Sequence, residues 1–253
     1  MNEIRISLLH VALEPGALAK NVALVEMGIK VAAAKGTQLV VAPELCISGY
    51  EFREVIGVDW IAISPDEWTR RIQDLASSLK IATIFGHAER DEYGQLYNSA
   101  FVIDASGALI GKHRKRNTVT ERWAHPGEET SPITWNGLRL GILICADAYT
   151  RDVAAALSSK GAQILISPAN WGPGENGPKG EWQERTIETG LPMVVCNRTG
   201  RERLLDFSGA ESLVIERGHR LLAHSSPRSA VLTFDWSLER MRPSSTAFEI
   251  QML

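Results

Sequence analysis

The sequence predicts an α/β protein built on a mixed sheet, or on two sheets face to face, with helices on the outside. Three observations carry this. Short β-branched runs alternate with helical-period segments in the first and middle parts of the chain. Turn signals bracket hairpins between those segments and at the end. The 253 residues are 44% hydrophobic and 23% charged, a balance that buries a sizeable core. No Pro/Ser-rich linker, charge block or low-complexity tract divides the chain, so one domain over residues 1–253 is expected.

Residues 1–10 alternate like a strand. Residues 17–35 carry Leu18, Val22, Leu24, Val25, Met27, Ile29, Val31, Ala32 and Ala33 with Gly36 behind, which predicts a helix covered by sheet and closed by a glycine. Residues 37–42 then form a buried strand. Ser64-Pro65-Asp66-Glu67 opens a second helix, with Ser64 as the capping residue, Pro65 in the first turn and early acids, and the helix runs to about Lys80. Ile81, Thr83, Ile84 and Phe85 suit a pleated buried strand. Turn signals at 91–94 and 105–107 flank a strand over 96–104, and the meander leads to Lys115.

The apolar run 138–144 is a strand that delivers Cys145 to a sheet edge. A short helix from about 150 stops at Gly161, and residues 163–167 return to the sheet. A helix over 182–189 ends at Gly190, and a strand covers 193–196. Residues 211–215 and 220–223 flank Arg217-Gly218 as a hairpin, and 231–234 supplies a last strand. Periodicity alone does not choose between one sheet and two.

The net charge of −3 gives no electrostatic reason to expect nucleic acid or an anionic membrane as a partner. The N-terminus lacks the basic start and long apolar stretch of a signal peptide, and no later stretch is long enough to span a bilayer, so a cytoplasmic location is expected. Cys46, Cys145 and Cys196 are odd in number and widely spaced, which indicates neither a disulfide framework nor a four-ligand zinc site.

Glu44, Lys115 and Cys145 each end a separate strand-like or hairpin segment. A free thiol is a poor nucleophile near neutral pH and needs a base or a positive neighbour. Glu44 can take the thiol proton and return it to a departing amine. Lys115 and the Ala146 backbone N–H can stabilise a carbonyl oxygen as it becomes tetrahedral. These roles describe acyl transfer through a thioester, followed by attack of water.

The residues around those three positions resemble the nitrilase superfamily of carbon-nitrogen hydrolases. The segments are Ala42-Pro43-Glu44-Leu45 with Gly49-Tyr50, His113-Arg114-Lys115, and Gly141-Ile142-Leu143-Ile144-Cys145-Ala146-Asp147. Further matches are Tyr97-Asn98-Ser99-Ala100, Pro126-Gly127, Ser167-Pro168-Ala169-Asn170-Trp171, Arg185 with Glu188, Asn197 with Gly200, and Phe207-Ser208-Gly209 with Ser212. The resemblance covers nearly the whole chain. It implies a four-layer α-β-β-α sandwich, pairing with a second copy through outer helices as a homodimer or higher homo-oligomer, and a cysteine thioester mechanism with no metal or organic cofactor. It also implies a second glutamate supporting the lysine, matched here by Glu121. Tyr50, Asn170 and Trp171 are expected at the substrate pocket; Trp171 follows a strand end and a Pro-Ala-Asn turn, which suits a pocket wall, and the alternative for it is a core aromatic. Cys145-Ala146-Asp147, in place of the Cys-Trp-Glu of branches acting on nitriles, favours small amides or carbamoyl compounds as substrates.

Two departures stand out. His113 takes the place of an aromatic residue before Arg-Lys, and Tyr149-Thr150-Arg151-Asp152 takes the place of Phe-Pro-Glu, with Asp152 keeping the acidic character. Both are expected at the pocket wall or a dimer-facing helix.

Plainer readings stand beside these. A cysteine after an apolar strand is commonly a small core residue, which suits Cys46 and Cys196. Lys115 lies among Lys112, Arg114 and Arg116, which could all be solvated, and Glu121 could pair with Arg122. His113 or His125 would be needed for a Cys-His protease, but neither has an orienting partner nearby in sequence. A nitrilase or N-carbamoyl amide hydrolase on the same scaffold, and a non-catalytic binding subunit, are the alternatives to an amidase-type hydrolase.

Overall fold

Strand β1 (Glu3–His10) turns its alternation into two buried faces, with Ile4, Ile6 and Leu8 in one core and Leu9 in another. The computed structural model describes residues 2–119 and 121–253. Helix α1 (Leu18–Ala34) buries Val22, Val25, Ile29 and Ala32, a stripe at helical spacing, and Gly36 follows it at φ 74°. Strand β2 (Leu39–Val41), the one-turn helix α2 (Arg53–Ile56) and helix α3 (Glu67–Leu79) come next. Then β3 (Ala82–Arg90), β4 (Leu96–Ile103) and β5 (Leu109–Arg114) form the meander.

The second half begins with β6 (Ile133–Trp135) and β7 (Leu138–Ile142). A 3₁₀ turn at Cys145–Tyr149, helix α4 (Asp152–Ser159), β8 (Ile164–Ala169), helix α5 (Glu181–Thr189) and β9 (Met193–Asn197) follow. Strands β10 (Ser212–Glu216) and β11 (His219–His224) make a hairpin whose turn residues Arg217 and Gly218 both have positive φ. The chain closes with β12 (Ala230–Ser237), β13 (Arg242–Pro243) and β14 (Glu249–Met252).

Two sheets result. The first runs β13-β12-β1-β2-β3-β4-β5, with β14 also on β12, and the second runs β11-β10-β9-β8-β7-β6. Each has a parallel centre, β1-β2-β3 in one and β7-β8-β9 in the other, with antiparallel flanks. Ile6, Leu8, Val41, Ile84 and Val102 of the first sheet share a core with Leu140, Ile142, Ile166 and Val194 of the second. Burial of each such side chain contributes roughly 1.5–3 kcal/mol. On the outer face of the first sheet, α1 and α3 pack through Val25, Ile29, Ile72 and Ala76 onto Val40, Phe85 and Phe101. Helices α4 and α5 cover the second sheet, where a Cβ at Gly141 would meet Leu157 of α4 at 3.3 Å. The layers are therefore helix, sheet, sheet, helix. Two sheets face to face, rather than one, is the arrangement adopted.

Several local expectations are corrected. Asp66, not Ser64, caps α3, because its carboxylate accepts from the Thr69 N–H at 2.9 Å while Pro65 precedes the cap. The strand over 231–234 is not the last, since β13 and β14 pair with it from beyond. The run 138–144 leaves the sheet after Ile142, so Cys145 opens the 3₁₀ turn with Leu143 and Ile144 between it and the strand. Strand β6 and helix α2 have three and four residues, too short to show a period.

Candidate active site

The parallel centres of both sheets end on one side of the molecule, where open α/β sheets hold ligands. Glu44 sits in the turn after β2, Lys115 directly after β5, Cys145 in the turn after β7 and Asn170 directly after β8. Two glycines allow this. A Cβ at Gly86 on β3 would lie 2.5 Å from Glu44 Cα and 2.5 Å from Leu45 N, so only a bare backbone lets the Glu44 turn rest there. A Cβ at Gly127 would lie 2.3 Å from the Arg114 carbonyl oxygen, while the Gly127 N–H donates to the Lys115 carbonyl at 2.8 Å.

Lys115 Nζ donates to Glu44 Oε1 at 2.6 Å and is also hydrogen-bonded to Glu121 Oε1. All three side chains are buried. Asn98 Nδ2 bridges the two carboxylates, donating to Glu44 Oε1 and to Glu121 Oε2 at 2.8 Å each. From the second sheet, the Asn170 N–H donates to Glu44 Oε2 at 2.9 Å, and Asn170 Nδ2 donates to the Glu44 carbonyl at 2.8 Å. Glu44 thus has a single orientation, fixed by both sheets.

The charges of this cluster reshape one another. Burial opposes the charge on Lys115, but Glu121 and Glu44 outweigh it and hold its pKa well above the ordinary value. Glu121 is pushed up to about 7 by burial, with Glu44 acting in the same direction and Lys115 against. Cys145 is pushed up by burial and then by the Glu44 charge, with Lys115 opposing. The resting sulfur is therefore a thiol, and a base must remove its proton as it attacks.

Cys145 has φ 44°, a left-handed conformation that side-chain-bearing residues seldom adopt. Asp147 holds that turn. Its Oδ2 accepts from the Ile144 N–H at 2.9 Å and lies 2.8 Å from His113 Nε2, and its Oδ1 accepts from the Arg116 and Asn117 N–H groups at 2.9 Å each. Burial works against the Asp147 charge, but His113 and the backbone donors outweigh it and lower its pKa. His113 is therefore neither at the pocket wall nor on a dimer-facing helix; it is buried against Asp147. Neither His113 nor His125 lines the cavity at Cys145. Cys46 and Cys196 are fully buried away from that cavity.

The cavity has a volume of about 540 Å³, and Lys115, Cys145 and Ala146 lie at its base. Tyr50, Asn170 and Trp171, expected at the substrate pocket, all line it. Tyr149, in the segment expected at the pocket wall or a dimer-facing helix, lines the cavity, and sequence reasoning missed Leu204, Leu205 and Phe207 on the same wall. It also missed the role of Asn98, although a polar amide inside an apolar strand is a signal. The 204–207 wall is fastened by Arg198 and Glu202, a fully buried ion pair. Glu202 accepts from the Tyr50 and Glu51 N–H groups at 2.9 and 2.7 Å, and the Arg198 guanidinium lies 4.5 Å over Phe207.

Residues 7–245 match the model of the Carbon-nitrogen hydrolase family. A nitrilase of Pyrococcus abyssi is 33% identical over 219 residues, covering 85% of this chain and 78% of that protein. An omega-amidase of Xenopus tropicalis is 25% identical over 260 residues, covering 94% of this chain and 90% of that one. Among solved structures, an amidase from Nesterenkonia sp. superposes with a TM-score of 0.82 at 23% identity, covering 93% of this chain and 90% of that one. A variant of the Nesterenkonia sp. AN1 amidase, with a TM-score of 0.81 at 22% identity over 91% of this chain and 92% of that one, carries acrylamide added at its active-site cysteine.

Proposed function

Because the chain belongs to the carbon-nitrogen hydrolase family and hydrolyses an amide C–N bond, we propose that Cys145, Glu44 and Lys115 are its catalytic residues, with Glu121 in support. The observation that supports this is the buried cluster in which Lys115 bonds both carboxylates at the base of the cavity that exposes Cys145.

In this mechanism Cys145 Sγ attacks the amide carbonyl carbon and its proton passes to Glu44. Lys115 Nζ and the Ala146 N–H meet the charge developing on the oxygen. Collapse breaks the C–N bond, and Glu44 returns the proton to the departing nitrogen, releasing ammonia or an amine. Glu44 then takes a proton from water, the hydroxide attacks the thioester carbon, and the C–S bond breaks. The acid leaves, and the proton returns to sulfur. The sum is amide plus water giving acid plus amine.

Glu121 keeps the Lys115 ammonium in place at the two stages of this cycle when Glu44 holds a proton. Tyr50, Asn170 and Trp171 are assigned to substrate binding, supported by their positions on the cavity wall. The same reading extends to a homodimeric protein of the cytoplasm acting on small-molecule amides. Three free thiols suit a reducing compartment, and exposed Ile187 on α5 suits pairing through the outer helices.

Intact-mass analysis during turnover of a slow amide tests the assignment. An acyl adduct mapped to Cys145, with ammonia released in step with its decay, is expected. Undiminished ammonia release by Cys145→Ala would overturn it.

A further inference from the structure

The cavity above Cys145 carries information about the acyl half of the substrate. Its walls are the rings of Tyr50, Tyr149, Trp171 and Phe207 with Leu204 and Leu205. The polar tips of two of these rings are already engaged, since Trp171 Nε1 and Tyr149 Oη both donate to the Asn176 carbonyl, at 2.7 and 3.0 Å. What they offer a ligand is ring surface. The Tyr149 and Trp171 ring centroids are 4.7 Å apart and those of Tyr50 and Phe207 are 6.5 Å apart, so the rings brace one another.

Charge is distributed just as unevenly. Among the described residues, Lys115 is the sole cation lining the cavity, and both of its partners are carboxylates. Of the arginines flanking the 204–207 wall, Arg198 lies buried against Glu202, Arg201 pairs at 2.8 Å with the lining residue Asp206, and Arg203 is exposed and does not line the cavity. The ionisable residues toward the mouth, Glu175 and Asp206, are acidic. A substrate carboxylate entering here would be desolvated against aromatic rings, with Lys115 already committed to two carboxylates, no other lining cation among the described residues, and Glu175 at the mouth.

We propose that the natural substrate class is primary amides of uncharged, apolar acyl groups, aliphatic or aromatic, and that amides bearing a distal carboxylate are excluded. This rests on the amide-hydrolase reading above and adds which acyl group that site takes.

The matched pair hexanamide and adipamate, with the same carbon chain and amide but a methyl or a carboxylate at the far end, isolates the charge. Ammonia release by the purified full chain is measured for both, together with acetamide, butyramide and phenylacetamide. The expected result is a kcat/KM that rises about threefold for each added methylene of the neutral series. Adipamate should fall at least about 100-fold below hexanamide. Leu204 is exposed at the rim, so Leu204→Arg is compatible with folding, and it should narrow the hexanamide-to-adipamate ratio at least about tenfold. Equal or faster hydrolysis of adipamate by the unaltered protein would overturn the proposal while leaving the amidase reading intact. Failure to release ammonia from any amide, with Cys145 unmodified, would overturn both.

Discussion

Asp147 Oδ2 and His113 Nε2 lie 2.8 Å apart with both side chains buried, joining the turn that carries Cys145 to the strand end that carries Lys115. His113 lies on β5 of the first sheet and Asp147 in the turn that follows β7 of the second, so this contact ties the segment carrying the nucleophile to the one carrying the cation.

Asp147→Asn keeps the shape but turns an acceptor of three backbone N–H groups into a partial donor. A stability loss of about 3 kcal/mol in urea unfolding is expected. A fall in kcat larger than any change in KM should accompany it, because the substrate pocket itself is untouched. The folded carboxyl has a lowered pKa, so its contribution is present above the unfolded value of about 4 and is lost as pH falls through the folded one. The variant should therefore lose less stability than the parent on acidification below pH 4.

Lys115→Met leaves Glu44 and Glu121 facing each other in a buried space with their shared cation removed. The chemical step should slow about 100- to 1,000-fold, as for loss of an oxyanion donor. Single-turnover acylation is the measurement, since it separates this loss from weaker substrate binding. Near-normal acylation would leave the lysine a structural part only.

Glu121→Gln reads the raised carboxyl. A group at about 7 in the folded protein and near 4.5 unfolded favours folding fully below pH 4.5, and this contribution is lost as pH rises through 7. Over that window the parent should lose on the order of 3 kcal/mol that the variant does not. Urea unfolding of both proteins at pH 4.5, 6 and 7.5 checks the difference in slope, and parallel curves would contradict it.

Gly86→Ala places a methyl 2.5 Å from the Glu44 backbone. A cost of about 1–3 kcal/mol is expected from forced displacement, together with a lower kcat, because Glu44 moves off Lys115 and the Asn170 N–H. Gly94→Ala, at an exposed turn with φ 83° and open space around the added carbon, should cost about 1 kcal/mol of backbone strain yet leave kcat unchanged, and serves as the comparison for activity.

The legible parts of this molecule were those with local signatures. Helix α1 showed its 3.6-residue stripe, the 217–218 turn showed its glycine, and Glu44, Lys115 and Cys145 stood at the ends of apolar segments. What stayed hidden depended on contacts remote in sequence. Asp147 reads as a helix-opening acid until His113, 34 residues earlier, is seen beside it. Asn98 became meaningful only once Glu44 and Glu121 converged on its amide. The 204–207 wall carries no periodicity, and its place is set by Glu202 reaching Tyr50 across 152 residues. Strands β6 and β13 owe their existence to neighbours rather than to their own two or three residues.

Glu44 and Lys115 are carried by one sheet, while Cys145 and the amide of Asn170 come from the other. Reactivity is consequently a property of the docked pair. A chain whose two sheets had each formed but not yet closed on one another would give near-native circular dichroism and no acylation. During refolding, recovery of catalysis should lag behind backbone order and coincide with the final exclusion of solvent from between the sheets.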